Sequence, residues 1–204
     1  MIDLKRQGDL WTVTLNRPEK ANALTAQMLE RLIDIAGDAH GNAKVLVLTG
    51  AGSIFCAGAD LDEARAGLAV SDLWETLSTA IANLPCMTVC ALNGTLAGGA
   101  FGMALACDIR LSVPQTKFFY PVMRLGFLPQ PSDAKRLTQL IGPARTKMIL
   151  MAGEKIDAAE ALSWGLIDRS VAPDQLDQAV HNLCAQVLQA EVSHIQAIKG
   201  LSSL

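Results

Sequence analysis

From Thr76 to Cys107 the chain runs for 32 residues without a single Asp, Glu, Lys or Arg. A stretch of that length has two physical outcomes: it crosses a bilayer, for which about 20 apolar residues suffice, or it is buried inside a folded domain. Asn83, Pro85, Asn93, Gly94, Gly98 and Gly99 interrupt it. Those residues break the run into strand, turn and helix, so a membrane span is rejected and no membrane partner is expected.

The rest of the chain fits a buried interior. Half of the 204 residues are hydrophobic and only 18% are charged, which excludes a disordered chain. One domain over 1–204 is expected, since single domains commonly reach about 200 residues. With 17 basic and 20 acidic side chains the net charge is −3, which leaves no basic surplus for a nucleic-acid partner. So little charge over so much apolar residue points to subunit contacts and a homo-oligomer. The cysteines, Cys56, Cys86, Cys90, Cys107 and Cys184, are odd in number and lack a repeated ligand spacing, so buried reduced thiols are expected and no metal site. The N-terminus has neither the apolar stretch of a secretory signal nor the composition of a transit peptide, and a cytoplasmic location is expected.

Short apolar runs bounded by Gly, Pro or Asn alternate with segments of helical period, the pattern of an α/β domain. Strands are predicted at 11–16, 45–49, 87–92 and 108–113. Helices are predicted at 26–36, 72–83, 99–107, 133–141, 144–151, 158–164 and 175–190. Thr25 and Ser71 are placed to cap two of these, Pro143 to open another, and Asp157 with Glu160 to form a capping box before a Gly165 terminator.

Two segments carry candidate chemistry. After the run at 45–49 comes Gly50-Ala51-Gly52-Ser53-Ile54-Phe55. A dinucleotide fingerprint needs a third Gly at 55 and a helix opening directly from the turn, so 50–53 reads as a tight turn. The small residues that follow, Ala57 to Asp60, could turn backbone amides towards a ligand without a side chain intervening. The second segment, Ala91 to Asp108, joins an apolar strand to a small-residue helix through Gly98-Gly99. Amides at such a helix start have no intrahelical acceptor and can hold an oxygen that gains negative charge. Tight packing of the helix would also explain the glycines.

Taken with three further stretches, these segments resemble the enoyl-CoA hydratase/isomerase (crotonase) family. The matching residues are RPEKANAL at 17–24, FCAGADL at 55–61, Asn93 to Asp108, LGFLP at 125–129 and Ala158 to Asp168, spanning roughly Trp11 to Pro173. The resemblance implies a crotonase-like α/β fold of stacked ββα units over 1–172, with a shortened helical C-terminal region over 173–204. It implies an acyl-CoA thioester ligand, with coenzyme A as part of the substrate and no separate cofactor. It maps the oxyanion-hole amides onto Ala57 and Gly99, and coenzyme A contacts onto Ala57, Gly58, Ala59, Asp60, Leu61, Gly98 and Gly99. It also implies a lyase or isomerase of fatty acid metabolism that assembles as a trimer or hexamer. Arg17, Lys20 and Arg124 could reach phosphates, but solvated surface charge explains each as well.

The departures from the family bear on the reaction. By the resemblance, the usual carboxylates belong at 102, 122 or 130, where this chain has Gly102, Val122 and Gln130. Adding water to an enoyl thioester needs a group to deprotonate the water and one to protonate the α-carbon. Gly102 and Val122 can do neither, so ordinary hydration is expected to be very weak or missing. Tyr120, Asp133, Arg124, Asp62 and Glu63 are the nearby polar substitutes. Asp133 is the best carboxylate among them, although a helix N-cap role explains it equally, and Tyr120 is otherwise a core tyrosine. His40, His181 and His194 fall outside every motif, and Cys56 is expected to be a structural thiol. Two functions follow: an enzyme acting through enolate stabilisation, by isomerisation, decarboxylation or thioester cleavage rather than hydration, or an acyl-CoA-binding protein without chemistry. Serine hydrolysis is disfavoured because no Gly-x-Ser-x-Gly elbow is present.

Overall fold

A computed structural model describes residues 1–202. Ser203 and Leu204, the end of the region expected over 173–204, lie outside the described residues. The chain opens with a hairpin, β1 (Ile2–Gln7) and β2 (Leu10–Leu15), followed by α1 (Ala26–Ala39). Three units of similar plan follow. The first is β3 (Val45–Gly50), β4 (Ile54–Cys56), α2 (Leu61–Arg65) and α3 (Leu73–Ala82). The second is β5 (Met87–Leu92), β6 (Thr95–Ala97) and α4 (Phe101–Ala106), with a 3₁₀ turn over Gly98–Ala100 leading into α4. The third is β7 (Ile109–Ser112), β8 (Lys117–Phe119), α5 (Val122–Leu125) and α6 (Pro131–Leu150). The chain ends with β9 (Ile156–Asp157), α7 (Ala158–Trp164), β10 (Arg169–Ser170), α8 (Leu176–Gln189) and α9 (Val192–Ser202).

Each unit puts its long strand in one sheet and its short strand in another. The main sheet has the order β1-β2-β3-β5-β7-β10, antiparallel only between β1 and β2. The second sheet is β4-β6-β8-β9, with β4, β6 and β8 parallel. Stacked ββα units are therefore the observed architecture, as expected from the sequence.

Strands β3 and β5 are buried on both faces over most of their length, which is why they read as near-continuous apolar runs. In β3, Val45 and Val47 pack towards Leu176, Val180 and Cys184 of α8, while Leu46 and Leu48 face the larger core under α1 and α3. The charge-free run supplies most of α3, all of β5 and β6, and α4, every residue of which is buried. Among the described residues no helix is long and apolar enough to cross a membrane. All five cysteines are buried and free.

Most predicted elements lie within a few residues of their observed ends. Thr25 caps α1 by accepting the Met28 N–H, Asp157 and Glu160 form the capping box of α7, and Gly165 ends that helix at φ 84°. The two helices predicted over 133–151 form one element kinked at Gly142, immediately before Pro143. Asp72, not Ser71, occupies the N-cap position of α3, although Ser71 Oγ still accepts the Leu73 N–H at 3.3 Å. The edge strand β1 escaped prediction because most of its residues are exposed and polar. Strands β4, β6 and β8 are three residues each, too short to show a period.

Candidate active site

Because β4, β6 and β8 are parallel neighbours, the residues leaving their C-terminal ends lie side by side: 57–60, 98–99 and 120–122. Ligands of parallel sheets bind at such ends. The three segments line one cavity of about 270 Å³, closed by Leu61, Trp74, Leu125, Phe127 and Leu128 among others. Its wall is largely apolar. Leu61 and Leu128 at the mouth are 71% and 86% exposed.

The loop 57–60 is settled amide by amide. Ala57 N–H donates to Ala21 O at 3.0 Å, Gly58 N–H to Cys56 Sγ at 3.4 Å and Asp60 N–H to Leu24 O at 2.8 Å. Only the Ala59 N–H has no acceptor among the described residues. It lies at the centre of a single parallel bridge with Leu24, in which successive amides point to opposite sides. The expectation for Ala57 is therefore corrected: its amide is spent inside the protein, and Ala59 presents the free donor. The backbone of Gly58 and the amide of Asp60 are likewise internal.

Residues of the RPEKANAL stretch hold this loop. Asn22 is fully buried at φ 55°. Its side chain accepts the Arg17 N–H at 2.8 Å and donates to Ala51 O at 2.9 Å and Ile54 O at 2.7 Å. The Cys56 thiol donates to Asn22 O at 3.0 Å, and burial pushes its pKa up to about 12, so it is structural. Arg17 is not a solvated or phosphate-facing cation. Its guanidinium bonds Ala23 O and Asp60 at 2.8 Å and holds the Asp60 carboxyl below the usual aspartate range, while Asp60 also caps α2. The segment 50–53 is a tight turn, as expected, held by Asn93, whose side chain accepts the Gly50 N–H and donates to Gly52 O.

The two amide-bearing segments meet at glycine. A methyl group on Gly58, at φ 98°, would lie 3.1 Å from Ala97 O, so the close approach favours glycine there, while Gly98 is favoured by its left-handed φ of 57°. Gly99 follows, in the first turn of the 3₁₀ segment, where no intrahelical acceptor exists for its N–H. The Trp74 ring covers it, near enough that a Cβ at 99 would lie 3.1 to 3.2 Å from three ring atoms. Trp74 is itself fixed by its Nε1–H donating to Leu68 O at 2.8 Å.

Behind the cavity stand Tyr120 and Asp133. Tyr120, 4% exposed, lines the cavity, stacks on Phe101 with ring centroids 5.4 Å apart, and donates its hydroxyl to Asp133 Oδ2 at 2.9 Å. Asp133 does not cap the following helix. Gln130 holds the N-cap position and Asp133 lies in the first turn of α6, completely buried. Burial raises the Asp133 pKa to about 7, with Glu75 adding to the rise and Tyr120 and Arg136 opposing it. An unfolded aspartate releases its proton near 3.9, so the folded state is favoured at low pH. That contribution is full below about pH 4 and is lost as pH rises through about 7, a fall of about 4 kcal/mol. Asp133→Asn is expected to remove the fall. Urea unfolding of both proteins at pH 5 and pH 8 checks this, and equal pH dependence in the two would refute it.

The remaining candidates separate. Val122 and Gln130 line the cavity without an acid, and Gly102 is buried in α4 behind it. Asp62 is exposed and pairs with Arg65, Glu63 accepts the Ala26 N–H, and Arg124 sits at the cavity lip. His40, His181 and His194 are exposed and away from the cavity lining. Asn22 and Trp74 were missed from sequence. Asn22 sits inside a recognised stretch, but nothing local marks a buried three-bond hub, and Trp74 has no sequence signal.

The fold and this cavity define a crotonase-like protein. Residues 5–202 match the family model described as enoyl-CoA hydratase/isomerase, and the chain belongs to that family. It is 36% identical over 172 residues to "Probable enoyl-CoA hydratase echA6" of Mycobacterium tuberculosis (strain CDC 1551 / Oshkosh), covering 83% of this chain and 70% of that protein. It is 32% identical to carnitinyl-CoA dehydratase of Salmonella arizonae, covering 98% and 79%. A Thermobifida fusca YX protein solved in complex with CoA superposes with a TM-score of 0.89 at 29% identity, over 98% of this chain and 83% of that one.

Proposed function

We propose that the chain binds an acyl-coenzyme A thioester and polarises its carbonyl between the N–H groups of Ala59 and Gly99, stabilising the enolate. The observation that carries this is the single acceptor-free amide in 57–60, which opens with Gly99 onto one apolar cavity. An enolate oxygen gains more from such donors than a ground-state carbonyl does, and one donor is worth about 2.7–4 kcal/mol. The family membership and the CoA complex of the Thermobifida fusca relative support the ligand class. Hydration is not the favoured reaction, because among the described residues the cavity lining has no carboxylate to activate water. That same lining favours a second reading, an acyl-CoA-binding protein without turnover.

Ligand binding to the folded state is tested by melting the protein with CoA, acetyl-CoA and longer acyl-CoAs. At a hundred times Kd the gain is about 2.7 kcal/mol, or about 5 to 10 °C for a chain of this size. An unchanged melting temperature at millimolar ligand would sink both readings. Product analysis over enoyl-, malonyl- and aryl-CoA substrates then separates enzyme from binder.

A further inference from the structure

An enolate formed at this site must gain and lose a proton at its α-carbon, yet among the described residues the cavity wall holds no carboxylic acid. We infer that Asp133, acting through the phenol of Tyr120, is the proton source and sink for the α-carbon, and that Gly102 is the residue that makes room for it. This rests on the acyl-thioester function proposed above.

The geometry begins at Gly102. A Cβ there would lie 2.9 Å from Asp133 Oδ1 and 3.6 Å from its Cγ. Any side chain at 102 would therefore displace the carboxyl, and the bare stretch of α4 is the seat into which α6 lowers Asp133. The carboxyl is only half satisfied. Oδ2 accepts the Tyr120 hydroxyl, while Oδ1 is buried with no hydrogen-bond partner among the described residues. A purely structural carboxyl in that position costs about 1–3 kcal/mol for the unmade bond. Of Gly102, Asp133 and Tyr120, only Tyr120 reaches the cavity, and Phe101 holds its ring in one orientation.

The division of labour follows from charge. Burial and the adjacent Asp133 push the Tyr120 phenol far above its ordinary range, so it does not ionise alone. Asp133 exchanges its proton near neutrality, with Tyr120 as its hydrogen-bond partner, Glu75 of α3 raising that pH and Arg136 of α6 lowering it. In the protonating direction Asp133 is protonated and its carboxyl donates to the Tyr120 oxygen, the reverse of the hydrogen bond seen with the carboxylate. The Tyr120 O–H bond is then free to break as the Cα–H bond forms from the enolate electron pair. The thioester C=O is restored, the Asp133 proton moves to the Tyr120 oxygen, and Asp133 is left as carboxylate. It regains a proton from water through the same phenol once the product has left. In the reverse direction the carboxylate draws the phenol proton as the phenol oxygen takes the α-proton. Tyr120 is then the catalytic residue and Asp133 the positioning residue behind it.

The test is α-hydrogen exchange of butyryl-CoA in D₂O, followed by mass spectrometry and independent of the natural acyl group. Wild type is expected to exchange, with a rate that rises with pH and levels above about 7. Tyr120→Phe and Asp133→Asn should each lose about a hundredfold, as for a positioned acid or base, and Asp133→Asn should also lose the bend in the pH profile. Circular dichroism and the butyryl-CoA melting shift are measured on each variant. Absent exchange in a wild type whose melting temperature rises with butyryl-CoA would overturn the proposal and leave the binding function standing. So would exchange retained in both folded variants, or an unchanged pH bend in Asp133→Asn. No melting shift in wild type would remove the acyl-thioester function, and the proton relay with it.

Discussion

Asn22→Ala is expected to cost about 3 to 5 kcal/mol of folding stability and to weaken acyl-CoA binding with it. The alanine strands the Arg17 N–H and the carbonyls of Ala51 and Ile54, all now paired with one amide side chain. Each buried group left unmade costs about 1–3 kcal/mol, offset in part where water can enter. Asn22 also stands at φ 55°, in the left-handed region that asparagine adopts more readily than alanine. The loss should reach the ligand, because Ala21, Asn22 and Leu24 together hold Ala57, Cys56, Gly58 and Asp60. Denaturant unfolding measures the first effect and the acyl-CoA melting shift the second. A loss below 1 kcal/mol would mean that the turn is held by other bonds.

Gly99→Pro is expected to lower butyryl-CoA exchange by about 10²–10³-fold, the effect of deleting one preplaced oxyanion donor. Proline removes the N–H outright, and its fixed φ is tolerated in the first turn of a helix, so the backbone need not unravel. The adjustment falls on Trp74, because a Cβ at 99 alone would already lie 3.1 to 3.2 Å from three of its ring atoms. Circular dichroism on the same sample establishes that the fold survives. Full exchange in a folded Gly99→Pro protein would remove Gly99 from the site.

The alternation of long apolar strands and helices was legible because burial on both faces writes near-continuous apolar runs into Val45–Gly50 and Met87–Leu92. The caps at Thr25 and Asp157 were legible because capping is local chemistry between residues three apart. The site was legible only to the level of the loop. Placing the donor on Ala57 instead of Ala59 failed because the deciding bond, Ala57 N–H to Ala21 O, joins residues far apart in sequence. For Asp133 it was the N-cap alternative that failed, not its choice as the best local carboxylate. Its position before an apolar helix pattern suggests a cap, and only the packing of α6 over Gly102 turns it into a buried acid.

The crossing of Gly58 with Gly98 and the bridge of Leu24 with Ala59 join residues about 40 and about 35 positions apart. Contacts of that separation must bear the entropy of closing the intervening chain before they return any stability. No fragment ending before Gly99 can present both amides. A growing chain therefore completes the pair of amides only once the second unit has packed against the first, and the amide pair depends on the joining of successive units, which the folding of any one of them alone does not supply.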